Sequence, residues 1–417
     1  MTDTRSKGSL DRGEHATACN GGCRGRRRCL RVVWMVVVWV TAGTQYARAE
    51  RVSDAAGGGD GAAESVAAVL EPFWRGTEIC EPLFFVEPEG SGRPTCKLLF
   101  KPTEVLSVRS ATHDVTFEPG KDYDVNLADG TISVPAGSRI PVTTHEQMYP
   151  LMSSDLPKMG RKSGDKKRGI MFAEGPFYHK LQVEVAYRHE PGQWQGPTSK
   201  YAGDSLPKTI AKLRDKQPLK IVVFGDSISQ GSNASLYTKA PPGCPPYAGL
   251  TARSLEKHFG SKVTLTNKAV DGTTSKEGLQ LAKDGQVANS EPDLVIIAFG
   301  MNDVYFQREA EKYQANIRGM IERIHADAPD AEVILVASML PNAERGIPLT
   351  LFPKYREALA ELCGPGVALA DVTSIWGELL KHKSFYDLTG NGINHPNDFG
   401  HRVYAETILG LLIDAPK

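Results

Sequence analysis

Apolar runs of strand length alternate with segments of helical periodicity in the second half of the chain. The runs occupy 220–224, 263–270, 294–299, 332–337 and 367–370. Runs without polar interruption are typical of parallel strands that are buried on both faces. Between two of these runs, apolar residues recur at helical spacing, namely Tyr313, Ile317, Met320, Ile321 and Ile324. This alternation predicts an α/β domain over 216–417, a doubly wound parallel sheet with helices on both faces.

The preceding segment, 71–205, has the pattern of a β protein. Short apolar runs at 97–100, 104–108, 115–117, 131–134 and 181–187 are separated in several places by turn residues, as at 118–120 and 128–130. Residues 181–185 alternate apolar and polar, as expected when one face of a sheet is buried. We therefore predict a small β-sandwich domain over 71–205. The basic stretch 158–168 within it is interpreted as a solvated loop.

The N-terminus has the features of an export signal. Five arginines between residues 24 and 31 precede the apolar run 32–40, and Ala47-Arg48-Ala49 gives a small-x-small cleavage pattern before Glu50. The apolar run is about half of the ~20 residues that a membrane span needs. We predict a signal peptide over 1–49, with an uncleaved anchor as the alternative, and a Gly/Ala-rich flexible linker over 50–70. The mature protein is then periplasmic or secreted, with no stable membrane span.

Composition and charge give no sign of a nucleic-acid or membrane-surface partner. Hydrophobic residues make up 41% and charged residues 24% of the chain, as in ordinary folded proteins. Residues 1–49 hold 9 of the 49 basic and 3 of the 49 acidic side chains, so the remainder has a net charge near −6. A mildly acidic protein gives no reason to expect nucleic acid or an anionic membrane surface as partner.

The chain has seven cysteines, three of which precede residue 50. Cys80 and Cys96 are close in sequence, and export would expose them to an oxidising compartment, so a Cys80–Cys96 disulfide is plausible. Cys244 and Cys363 are far apart in sequence and could equally be free thiols. No Cys/His spacing suggests zinc, and no glycine-rich nucleotide motif follows a strand. We therefore expect neither a metal nor a cofactor.

Four short sequence blocks contain residues that could take part in catalysis, and each lies at the end of a predicted strand or at the start of a predicted helix. Gly225-Asp226-Ser227 comes directly after the first strand of the α/β segment, Gly272 follows the second, Asn302 follows the third, and His395 precedes an amphipathic segment at 398–411. The carboxyl ends of parallel strands meet at one edge of a sheet, where such folds bind their ligands. Serine becomes a strong nucleophile only when a nearby imidazole accepts its proton.

These blocks resemble, in order and placement, the four sequence blocks of the SGNH (GDSL-like) hydrolases, over about residues 219–413. The resemblance implies a flavodoxin-like sheet and a serine esterase that works through an acyl-enzyme, with Ser227 as nucleophile and His395 as base. It also implies an oxyanion hole formed by the N–H groups of Ser227 and Gly272 and the side-chain amide of Asn302. Asp303 is expected to support the loop.

One position departs from the family pattern. The family usually has an aspartate three residues before the histidine, and here that residue is Gly392. We therefore predict a Ser–His dyad and leave open which group orients the imidazole; a backbone carbonyl at or near Gly392 could hold its other N–H. Asn391, Asn394 and Asp387 remain candidates for a third member.

Three functions are compatible with this pattern. The leading one is an esterase that removes small acyl groups, above all acetyl, from polysaccharide, because the two-part plan is similar to that of certain carbohydrate esterases. The second is a lipase, thioesterase or lysophospholipase, which would need an apolar acyl groove to which 340–352 could contribute. The third is a carbohydrate-binding protein with an inactive hydrolase domain. A fold alone does not choose among them.

Overall fold

The computed structural model of the protein describes residues 65–414. The predicted signal peptide, and residues 50–64 of the predicted linker, lie outside these residues. Packed structure begins before residue 71, because the side chains of Val66 and Val69 are buried in the hydrophobic core. No helix within 65–414 is long and apolar enough to cross a membrane.

The N-terminal part of the described chain, here called the β region (residues 78–189), consists of antiparallel sheets. Its strands are β1 (Glu78–Leu83), β2 (Thr95–Lys97), β3 (Pro102–Ser110), β4 (Asp124–Asn126), β5 (Thr131–Ser133), β6 (Lys158–Met159), β7 (Ile170–Met171) and β8 (Val183–His189), with helix α1 (His145–Met148) before β6. They form two three-stranded sheets, β1-β8-β3 and β2-β5-β4, and the hairpin β6-β7.

Side-chain burial in the β region follows the predicted alternation. Val183, Val185 and Tyr187 of β8 are fully buried, and Ile132 of the other three-stranded sheet belongs to the same hydrophobic cluster. These two sheets lie within the segment for which a β-sandwich was predicted, and the sandwich arrangement itself stays a prediction. The basic stretch 158–168 lies mostly on the surface between β6 and β7.

The second half of the described chain, here called the α/β region, has a single parallel sheet covered by helices. Its strands are β9 (Leu219–Gly225), β10 (Val263–Asn267), β11 (Leu294–Ala298), β12 (Glu332–Ala337) and β13 (Val367–Asp371). Its helices are α2 (Pro207–Arg214), α3 (Ser227–Gln230), α4 (Tyr247–Phe259), α5 (Ser275–Lys283), α6 (Met301–Tyr305), α7 (Ala310–Asp327), α8 (Leu351–Ala360), α9 (Val372–Leu379), α10 (Phe385–Leu388) and α11 (Asp398–Leu412).

The strand order is β10-β9-β11-β12-β13, and every neighbouring pair is parallel. This is the flavodoxin-like order, and it confirms the predicted doubly wound fold. Every residue of β11 and β12 is buried, as the unbroken apolar runs predicted. The order reverses at β9, so a crevice opens beyond the carboxyl end of that strand.

The two regions share one interior. The side chains of Lys383, Glu81 and Asp387 are almost completely buried, and the Lys383 Nζ atom lies 2.5 Å from the Glu81 carboxylate and 3.5 Å from that of Asp387. Asp387 also accepts a hydrogen bond from the backbone N–H of Phe84, at 2.8 Å. A charged cluster in a protein interior is tolerated only when its members are paired in this way. The boundary between domains at 205–216 stays a prediction.

The Cys80–Cys96 disulfide, which the sequence left open, is not formed among residues 65–414. Successive residues of a strand point to opposite faces, so Cys80 and Glu81 diverge. The Cys80 Sγ atom lies 3.8 Å from a carboxylate oxygen of Glu184. The Cys96 thiol instead donates to the carbonyl of Phe84, on the side of the Glu81–Lys383 cluster. Burial, together with the charge of Asp387, raises the pKa of Cys96.

Candidate active site

Ser227 lies at the first position of helix α3, immediately after strand β9. Asp226 caps this helix, its carboxylate accepting the N–H of Ile228 at 3.1 Å. Gly231 ends the helix in the left-handed conformation, which glycine adopts without strain. Burial raises the pKa of Asp226 to about 7. The short helix holds the Ser227 hydroxyl at the carboxyl edge of the sheet, where the residue is 3% exposed.

His395 reaches Ser227 from a turn that precedes helix α11. Its Nε2 atom lies 2.9 Å from the Ser227 Oγ atom. Within the turn, the side-chain oxygen of Asn391 accepts the backbone N–H groups of Ile393, Asn394 and His395 at 3.0–3.1 Å. These three hydrogen bonds fix the backbone conformation of the turn and thereby the position of the His395 imidazole.

The other ring nitrogen of His395 is held by Asn233. The His395 Nδ1 atom lies 2.9 Å from the Asn233 side-chain oxygen. The orientation of this amide follows from its network, because its nitrogen donates to the carbonyls of Gly175 and Gly390. The amide oxygen can therefore only accept, which assigns the proton of the imidazole to Nδ1. The Nε2 atom is then the unprotonated one, facing the Ser227 hydroxyl.

A carboxylate also lies at this nitrogen. The Glu174 Oε2 atom is 3.4 Å from His395 Nδ1, while its Oε1 atom accepts the Asn391 side-chain amide at 3.0 Å. Glu174 belongs to the β region, in the segment between β7 and β8.

The Gly392 carbonyl, one of the groups considered from the sequence, does not orient the imidazole. That carbonyl accepts the side-chain amide of Asn342 at 2.9 Å. Asp387 is engaged by Phe84 and Lys383, and the Asn394 side-chain oxygen accepts the Asn391 amide. None of these groups contacts the imidazole of His395.

Gly392 itself is required by its surroundings. Its φ angle is +87°, and a Cβ atom there would overlap the Tyr178 hydroxyl and the Met171 carbonyl. A segment of the β region therefore occupies the space in which an aspartate side chain would stand.

The predicted oxyanion donors lie on loops that are bonded to one another. The Val270 N–H donates to the Gly225 carbonyl at 3.0 Å, and the Asn302 amide donates to the Thr273 carbonyl at 3.0 Å. Gly272 has a φ of +71°, in the left-handed region. Within residues 65–414, the N–H groups of Ser227 and Gly272 donate to no protein acceptor, and Asn302 keeps one amide hydrogen unused. These donors are available to a negatively charged oxygen.

Asp303 supports this loop, as predicted. Its buried carboxylate accepts the N–H and hydroxyl of Ser275 at 2.8 and 2.6 Å and the Arg308 Nε–H at 2.5 Å. These bonds tie the helix that carries Asn302 to the start of α5.

Two site residues, Asn233 and Glu174, were missed by the sequence analysis. Asn233 has a φ of +66°, a conformation that asparagine tolerates better than most residues, but no motif marks it. Glu174 is 221 residues from His395, and nothing in the sequence pairs them.

The comparisons with known proteins agree with this geometry. Residues 223–403 match the model of the GDSL-like Lipase/Acylhydrolase family. The match includes Ser227, Gly272, Asn302 and His395. The α/β region of this chain therefore contains a GDSL-like lipase/acylhydrolase domain.

Several solved structures resemble the chain. A two-domain esterase active on acetylated mannans is 24% identical, with a TM-score of 0.41 over 51% of this chain and 54% of its own. A catalytic mutant of an acetylxylan esterase from Geobacillus stearothermophilus is 19% identical, with a TM-score of 0.37 over 46% of this chain and 92% of its own.

A curated protein of Mycoplasma pneumoniae, itself uncharacterised, is 24% identical over 151 residues. The aligned part covers 34% of this chain and 16% of that protein. This chain thus spans a small fraction of that relative and about half of the two-domain mannan esterase.

Proposed function

We propose that this enzyme hydrolyses carboxylic esters through an acyl-enzyme on Ser227, with His395 as the base. The observation that carries the proposal is the 2.9 Å contact between His395 Nε2 and Ser227 Oγ. In the first step, Oγ attacks the ester carbonyl and its proton passes to Nε2. The resulting oxyanion is stabilised by the N–H groups of Ser227 and Gly272 and by the Asn302 amide.

His395 then returns the proton to the departing alcohol. In the second half, it removes a proton from water, which attacks the acyl group on Ser227 and releases the acid. The hydrogen bond from His395 Nδ1 to Asn233 keeps the ring in the required tautomer throughout.

The acyl group is proposed to be small, and acetyl above all. A long acyl chain needs an apolar groove that adjoins the nucleophile. The apolar cavity of about 260 Å³ in the β region is lined by Val142, Leu156, Phe177 and their neighbours, and by none of the four predicted site residues. Within 340–352, Phe352 is buried in the core and Asn342 binds the Gly392 carbonyl, so neither side chain is free to line a groove.

The alcohol side is proposed to be a carbohydrate. Phe306 is 71% exposed and lies one turn after Asn302, its N–H bonded to the Asn302 carbonyl, so both side chains are on one face of the helix. Val270, two residues before Gly272, is also exposed. An open rim with an exposed ring suits the apolar face of a sugar.

An acyl-chain series tests this substrate class. With p-nitrophenyl acetate, butyrate and octanoate, we expect kcat/KM to fall steadily with chain length. Acetate release from acetylated mannan or xylan should accompany the acetate preference. Faster turnover of octanoate would favour a lipase-type enzyme. Binding of the polysaccharide without any turnover would favour an inactive hydrolase domain.

We also propose that the enzyme is exported, because acetylated polysaccharides lie outside the cell and residues 1–49 have the pattern of a signal peptide. Protein purified from its native host should begin at Glu50 by mass spectrometry. A chain that retains residues 1–49 in the membrane fraction would support the anchor alternative instead.

A further inference from the structure

The β region contributes to the catalytic centre as well as to the core. The segment between β7 and β8 fills the space beside Gly392 and carries Glu174 to the imidazole of His395. We propose that Glu174 is a positioning residue that supplies the negative charge opposite His395, in place of the aspartate that Gly392 excludes. This inference rests on the proposed function, since it assigns a partner to its base.

The contacts of Glu174 aim its carboxylate at the ring. The Oε1 atom accepts the Asn391 amide at 3.0 Å, and Asn391 in turn binds the backbone N–H of His395. One asparagine therefore holds both the histidine backbone and the carboxylate. The Oε2 atom is left facing His395 Nδ1 at 3.4 Å, which is within ion-pair distance although long for a strong hydrogen bond.

The carboxylate is ionised near neutral pH. Burial acts to raise the pKa of Glu174, but its hydrogen bonds and charge interaction with His395, together with the Asn391 bond, outweigh burial and lower the pKa below its usual value. The side chain is 51% exposed, so water and salt screen part of its field at the imidazole.

A triad aspartate both fixes the histidine tautomer and stabilises the imidazolium charge, and here these two functions fall to Asn233 and Glu174 respectively. The neutral oxygen of Asn233, at 2.9 Å, fixes which ring nitrogen carries the proton. It has no net charge with which to stabilise the imidazolium that forms when Ser227 attacks. Glu174 adds that charge at the same nitrogen, so its contribution is greatest when the ring is protonated.

Two other titratable groups act on His395 from the α/β region. Asp226 precedes Ser227, and its charge interacts with His395. His401, in helix α11, is buried, and burial lowers its pKa to about 4, so it is neutral when the enzyme works. A pH profile must be compared between variants in which both groups are kept.

Glu174→Gln in the full chain is the direct test, because glutamine can still accept the Asn391 amide. With p-nitrophenyl acetate we expect kcat to fall about 10- to 100-fold with little change in KM. Loss of the negative charge destabilises the imidazolium, so the acid-side midpoint of the kcat/KM profile should move to lower pH. Because the charge is partly exposed, the difference from wild type should shrink at about 1 M salt.

Glu344→Gln is the matched control. Glu344 also joins the two regions, through the Tyr149 and Tyr386 hydroxyls, but does not contact His395. It should leave the pH midpoint and its salt dependence unchanged. If Glu174→Gln proves unstable, Glu174→Ala with added formate replaces it, and restored activity supports the assignment.

A folded Glu174→Gln enzyme with wild-type kcat and pH profile at low salt would overturn the inference, as would a fall in kcat that neither shifts the midpoint nor responds to salt or formate. Ser227→Ala separates this outcome from failure of the proposed function. If Ser227 is not the nucleophile, Ser227→Ala keeps its activity, whatever the result for Glu174→Gln.

Discussion

Ser227→Ala is expected to abolish ester hydrolysis and leave the fold intact, with kcat reduced on the order of 10³-fold or more. The change removes only the attacking oxygen, and within residues 65–414 the Ser227 hydroxyl is hydrogen-bonded to His395 alone. The measurement is the steady-state rate on p-nitrophenyl acetate, with the thermal unfolding midpoint recorded in parallel.

His395→Ala should be as damaging as Ser227→Ala, and the double variant no worse than either, since nucleophile and base act as one unit. Ser229→Ala is the matched control. Ser229 is a second buried serine of α3, and its hydroxyl accepts the Tyr247 hydroxyl at 2.8 Å rather than contacting the base. Its loss should lower stability by about 1 kcal/mol and spare most of the activity. Near-normal turnover in folded Ser227→Ala protein would refute the nucleophile assignment.

Asn302→Ala should give the second largest loss. Its unused amide hydrogen is available to the oxyanion, which carries its charge in the transition state rather than in the bound ester. Removing one such donor costs roughly 2.7–4 kcal/mol, which is about 10²- to 10³-fold in kcat, with KM changed much less.

The same amide also binds the Thr273 carbonyl, so a control must separate loop support from catalysis. Asn316→Ala serves, because the Asn316 amide donates to the Ser275 hydroxyl in the same loop network without lying in the crevice. We expect this control to cost stability and little kcat. A change confined to KM in Asn302→Ala would instead make Asn302 a residue that binds the ground state.

The parts of this site that the sequence predicted are those tied to local pattern. An unbroken apolar run identifies a buried parallel strand, and the residues directly after such strands must share one edge of the sheet. This local pattern is enough to place Ser227, Gly272 and Asn302 at that edge. It also gave the sheet type, since strand and helix periodicities alternate clearly after residue 219.

The parts that it missed depend on contacts between distant segments. Glu174 and Asn233 contact His395 only in the folded chain, where distant segments pack around the turn at 389–396. No periodicity in the sequence predicts these contacts. Gly392 was noticed as a departure, but the overlap with Tyr178 that excludes a side chain there is visible only in three dimensions. Whether Cys80 and Cys96 form a disulfide was likewise open from the sequence, because nearness in sequence does not determine which face of a strand each thiol occupies.

The buried Lys383 limits which truncations and domain exchanges this protein can tolerate. Glu81 reaches it from β1, and Asp387 reaches it from the α/β region. A truncated hydrolase that began near residue 216 would lose Glu81 and leave an interior ammonium with half of its counter-charge. Removing one partner of such a cluster costs about 3–5 kcal/mol, a large share of the stability of a typical domain. The β region is therefore not an exchangeable module, and a chimera would have to carry strand β1 along with the hydrolase.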